Sequence, residues 1–107
     1  MWEENLKIFD AAVAKCPRFE RKGKTVPYTS ANGHMFAILN KAGELGIRFG
    51  KEAQQQHMED WNSTFFKSHG ATMQGYVLVT ADMLKDLDVL AEYLNESYDY
   101  VMSLEPK

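Results

Sequence analysis

The chain contains a single cysteine, Cys16, which excludes an internal disulfide and any metal site built from several thiolates. No apolar stretch approaches the ~20 residues that a membrane-crossing helix needs, so no membrane contact is expected. The opening "MWEENLKIFD" is acidic and amphipathic, without the basic-then-apolar order of a secretory signal, and a cytoplasmic location is the expectation. Asn62-Ser63-Thr64 and Asn95-Glu96-Ser97 match the glycosylation triplet, which carries no meaning without secretion. Positive charge is not in excess: 12 Lys and Arg stand against 15 Asp and Glu, which argues against nucleic acid as the main partner. There is no internal repeat, low-complexity tract or linker. A chain of 107 residues therefore reads as one domain over 1–107, long enough to close a core without staples.

What is present is a readable order of elements. Trp2, Leu6, Phe9, Val13 and Cys16 are spaced four, three, four and three apart, which places them on one helical stripe. Glu3 and Glu4 near one end and Lys15 near the other suit the helix dipole. Pro17 disfavours helical backbone at the preceding residue, so a first helix is predicted over 2–16. One or two short strands follow, with Pro27 at an edge or bulge. Asn32-Gly33 tolerates the positive φ of a type I′ turn and predicts a hairpin. "HMFAIL" is apolar on both faces, whereas "ELGIRFG" alternates, with Leu45, Ile47 and Phe49 on one side and Glu44, Gly46 and Arg48 on the other. A short, partly exposed helix is expected over 51–61, then Phe65-Phe66, a loop around Gly70 and a strand ending in Tyr76 to Val79. Thr80 can cap the last helix, with Asp86 restarting it. Its buried face would be Leu87, Leu90, Ala91, Leu94, Tyr98, Val101 and Leu104. The predicted fold is an α+β two-layer sandwich of four to five mainly antiparallel strands, ordered α-β(3–4)-α-β(1–2)-α.

Charge is distributed unevenly. Lys15, Arg18, Arg21, Lys22 and Lys24 fall within ten residues, while seven acidic residues lie between Asp82 and Glu105. Arg18, Arg21, Lys22 and Lys24, interleaved with Phe19 and Tyr28, form the one constellation able to hold nucleic-acid phosphates while a ring stacks on a base. The alternative is a solubilising edge, since basic residues on edge strands deter aggregation. The surplus apolar residues of "HMFAIL" need cover, and a homodimer packed through Met35, Ala37 and Leu39 would supply it.

Catalytic arrangements are absent from the pattern. His34, His57 and His69 are 23 and 12 residues apart, with no metal-ligand spacing. Cys16 sits on the buried stripe, where a free cysteine is a small inert hydrophobe. Gly43, Gly46 and Gly50 bracket a strand rather than opening a helix after one, so no phosphate loop is formed. The acids of the last helix read as a solvated face. Arg48 points away from Leu45, Ile47 and Phe49, toward water or an acid of a partner subunit. No catalytic residue, metal or cofactor is expected.

"NGHMFAILNKAGELGIRFGKE" and "MQGYVLVTADMLKDLDVLAEYLNESYDYVMSLEPK" together resemble the N-terminal domain family of TfoX, the regulator of natural competence. The first is similar to the family's Asn-Gly-x-Met-Phe-Ala hairpin and alternating strand. The second is similar to its Met-x-x-Tyr-Val strand, long helix and Ser-Leu-x-Pro-Lys ending. Where the family carries Met-Phe-Gly in its first strand, this chain reads Lys-Gly-Lys at Lys22 to Lys24. It also ends where the competence regulators continue into a second, helical domain. The resemblance implies a two-layer α+β fold, action through association and no catalytic residues. A more distant likeness to YjbR-type proteins, whose architecture has been linked to DNA binding, rests on "SYDYV". The expected function is a stand-alone, non-enzymatic regulatory or protein-interaction module. The alternative is a nucleic-acid-binding transcriptional regulator using the basic segment 15–24.

Overall fold

A computed structural model describes residues 2–68 and 70–107. His69, one of the three histidines considered above, lies outside the described residues. The apolar stripe folds as α1 (Trp2–Ala14), with Phe9, Ala12 and Val13 buried on its inner side. It ends two residues earlier than the spacing predicts. Lys15 N–H donates to Ala12 O at 3.1 Å and Cys16 N–H to Val13 O at 2.8 Å, i→i−3 bonds that tighten the final turn ahead of Pro17.

Three strands follow: β1 (Tyr28–Ala31), β2 (His34–Leu39) and β3 (Leu45–Arg48). Then come α2 (Lys51–Asp60), β4 (Phe65–Ser68), β5 (Ala71–Leu78), the one-turn helix α3 (Ala81–Leu84) and α4 (Leu87–Met102). The strands form one sheet in the order β1-β2-β3-β5-β4, and every neighbouring pair is antiparallel. The architecture is therefore the α+β arrangement that the pattern predicts, with five strands. Asn32 and Gly33 take φ of 56° and 80°, the left-handed pair that the β1–β2 hairpin requires. Asp86 accepts a hydrogen bond from Val89 N–H at 3.3 Å and starts α4, separating it from α3. The segment before Tyr28 makes only an isolated bridge between Lys22 and Tyr28, not a full strand. No described helix is long and apolar enough to cross a membrane.

The sheet has a core on each face. On the helix side, Phe9, Phe36, Phe49, Leu39, Ile47, Leu90, Leu94 and Val101 close against one another, each at most 2% exposed. Full burial of such a side chain contributes about 1.5–3 kcal/mol. The other face carries a smaller cluster of Ile38, Phe66 and Tyr76, flanked by Val26, Tyr28, Met35, Met73 and Leu78. Tyr76 spans it, donating its hydroxyl to Met35 O at 2.8 Å. Gly46 forms its floor: a Cβ there would sit 2.4 Å from the Phe66 ring. The clean alternation of β3 thus does not mean one solvated face, because Phe66 folds over Gly46 and buries it.

This second cluster corrects the expected dimer face. The β1–β2 register shifts from Thr29↔Ala37 to Ser30↔Met35, leaving Phe36 as an extra residue in β2. Phe36 and Ala37 consequently both belong to the helix-side core, as does Leu39, and all three are completely buried. Ala37 and Leu39 are covered by the chain's own helices. Met35 falls on the opposite face, beside Tyr76. Met35, Ala37 and Leu39 do not form one surface.

Candidate functional site

Past Pro17 the chain runs across α4, and its cations meet the acids of that helix. Arg18 donates through Nη1 to Asp99 Oδ1 at 2.8 Å and through Nη2 to Asn95 Oδ1 at 3.1 Å. Its guanidinium lies 4.4 Å from the centre of the Tyr98 ring. Arg21 grips Asp10 with two bonds, Nε to Oδ1 at 2.7 Å and Nη2 to Oδ2 at 3.2 Å, and donates Nη1 to Gly23 O. The hydrogen bonds to Asp99 and Asp10 push the pKa of Arg18 and Arg21 upward. Lys15 pairs with Asp88 at 3.1 Å. Part of the uneven charge seen along the sequence is thus complementarity inside one molecule. Of Arg18, Arg21, Lys22 and Lys24, only the two exposed lysines lack an ion pair among the described residues. Phe19, the ring placed beside them, is 8% exposed and packs edge-on against Phe36 with Tyr98 stacked on it.

Cys16 is buried, and Asn95 Nδ2 donates to its Sγ at 3.5 Å. Burial pushes its thiol pKa up, opposed by nearby Arg18, so the thiolate is disfavoured. His34 contacts Glu105 O at 2.9 Å and steadies the chain end against β2. His57 has a larger structural part than its exposed-helix setting predicts. It stacks on Trp61 at 5.3 Å, meets Phe49 and Tyr93 edge-on, and bonds Glu96 Oε2 through Nε2 at 2.7 Å. These rings touch one another, so the cluster fastens α2 to α4. Among the described residues no three His, Cys, Asp or Glu side chains are grouped as metal ligands.

A concave feature lies at the end of β3. Arg48 leaves the strand on the face opposite Ile47, and Gly50 then opens α2 with no side chain capping its N-terminus. The β4–β5 hairpin reaches beyond the sheet here, since β3 pairs with β5 only from Tyr76 onward. Between the hairpin and the start of α2 is an open cleft of about 690 Å³. Thr72, Gln74 and Gly75 form its hairpin wall and Arg48, Lys51 and Gln54 the opposite wall, with the Phe65 and Tyr100 rings at either side.

Arg48 is positioned by packing. Its guanidinium is 5.7 Å from the Tyr100 ring centre, within cation–π range. Its Cγ and Nε pass 3.4 and 3.6 Å from the place a Cβ on Gly75 would occupy, so the side chain lies along the hairpin backbone. Tyr100 in turn rests on Gly50, its ring 3.0 Å from where a Cβ would be. Behind this, Ser97 Oγ donates to Arg48 O and ties the end of β3 to α4. The chain has three arginines. Arg18 and Arg21 are held by carboxylates, whereas the Arg48 guanidinium has no hydrogen-bond acceptor among the described residues.

Lys51 also lacks an ion pair there, and no carboxylate, histidine or thiol among the described residues lines the cleft. The first turn of α2 holds both Lys51 and Glu52, of which only Lys51 lines the cleft. Two cations at one cleft can attract an anion. Among the described residues the cleft lining contains no acid–base pair.

Sequence reasoning left Arg48 between water and a partner and did not identify Lys51, Thr72, Gln74 or Tyr100. The available local signal was "RFGK", two cations around a helix-opening glycine. The hairpin wall has no such signal, because Thr72 and Gln74 reach the cleft only through the β5 pairing. No protein-family model matches this chain, and no curated protein matches it either.

Proposed function

We propose that this chain is a non-enzymatic regulatory module that acts by binding, with the cleft between the β4–β5 hairpin and α2 as its working surface. The observation that carries the reading is Arg48: an arginine held by an aromatic ring and a backbone, facing a cleft without any acid to neutralise it. A guanidinium kept free in this way is suited to recognition, because its fork of donors is arranged before a ligand arrives. The resemblance to TfoX N-terminal domains supports the regulatory part of the proposal. The absence of an acid–base constellation from the cleft supports the non-enzymatic part.

The test is amide NMR with a fragment library containing neutral, cationic and anionic members. The backbone signals of Gly50, Lys51, Thr72 and Gly75 are expected to move together and before any others. Perturbations that gather instead on 18–24, or that appear nowhere, would contradict the proposal.

A further inference from the structure

We infer that the ligand of this cleft is a small phosphomonoester carrying an aromatic ring, a molecule of about mononucleotide size. The inference rests on the proposal that the cleft is the binding surface, and it specifies the chemistry that surface selects. Arg48 and Lys51 bring two positive charges to one cleft and neither is neutralised there. A carboxylate group carries one negative charge, whereas a phosphomonoester carries about −1.5 to −2 near neutral pH and offers three acceptor oxygens. Those oxygens match the planar fork of Arg48 and the point charge of Lys51. The Thr72 hydroxyl and Gln74 amide add neutral donors along the hairpin wall.

The ring requirement comes from Phe65. It is 51% exposed, and it and Met102 are the two large apolar side chains so exposed among the described residues. Phe65 belongs to the cleft, where a flat ligand ring can lie on it and remove that surface from water. The volume of about 690 Å³ is of the size that receives small molecules, typically ~300–1,000 Å³. The cleft is open and leaves the ligand partly solvated, so micromolar rather than nanomolar affinity is expected.

Titration calorimetry on the full chain, with adenosine 5′-monophosphate, adenosine, inorganic phosphate and benzoate as probes, tests the inference. Adenosine monophosphate is expected to bind saturably and at least tenfold more tightly than each of the other three. Arg48→Met should raise its Kd at least tenfold and Lys51→Ala, at an exposed position, several-fold, while Arg18→Met leaves the Kd unchanged. Equal affinity for adenosine and its monophosphate, or unaltered binding in both Arg48→Met and Lys51→Ala, would overturn the assignment. So would benzoate binding as tightly as the monophosphate, or a single-stranded oligonucleotide binding far more tightly than either. The two proposals fail differently. If neutral or cationic fragments shift the cleft amides while adenosine monophosphate does not, the surface stands and its phosphate chemistry falls. If no compound reaches the cleft, both fall.

Discussion

Single side chains close the sheet face opposite the helices, and two of them make sharp predictions. Burial pushes the Tyr76 phenol up to about 12, with Arg48 nearby acting in the opposite direction. The folded state therefore holds this proton more tightly than the unfolded chain, whose phenol titrates near its ordinary value of about 10. Tyr76 contributes its full stability below pH ~10, and that contribution is lost as pH rises toward about 12. Urea denaturation across this window should show stability falling by up to about 3 kcal/mol, and Tyr76→Phe should remove most of that slope. Gly46 makes a steric prediction. A methyl group there would overlap the fully buried Phe66 ring, so Gly46→Ala should cost about 1–3 kcal/mol by the same measurement. Phe66→Leu in that background should recover part of the loss. Unchanged stability in Gly46→Ala would mean that Phe66 does not lie over β3.

Helices and turns were the most legible features of the sequence, because their signals are local. Asn32-Gly33, Thr80 and Asp86 each act within three or four residues, and each takes the conformation or cap its chemistry predicts. Asp86→Ala should lower stability by about 1 kcal/mol through loss of the α4 cap, and Asp86→Asn should restore most of it. The facing of β2 was not legible. Five consecutive apolar residues contain no alternation to read, and the extra residue at Phe36 is fixed by pairing with β1. That single shift puts Met35 on the face opposite Ala37 and Leu39, so the three do not share one surface. The alternation of "ELGIRFG" did not reveal that Gly46 is buried too, for a related reason. The cover for Gly46 comes from Phe66, twenty residues later in the chain.

Across the whole molecule, two groups of cations sit in different surroundings. Around α1 and α4 they are engaged: Arg21 with Asp10, Arg18 with Asp99 and Lys15 with Asp88. Exposed pairs of this kind contribute ~0–1 kcal/mol each, so they orient the connection more than they stabilise it. Beside the hairpin, Arg48 and Lys51 face a cleft that supplies no acid. A count of basic residues per stretch selects the first group and overlooks the second, because the acids that neutralise Arg18 and Arg21 lie elsewhere in the sequence. The direct measurement is water exchange of the arginine Nε–H protons by NMR in the ligand-free protein. Arg21, whose Nε donates to Asp10 at 2.7 Å, is predicted to exchange slowly. Arg48 is predicted to exchange at close to the rate of a free guanidinium and to slow only when an anion occupies the cleft. An Arg48 proton as protected as that of Arg21 without ligand would show that its charge is already partnered, and the binding account would be wrong.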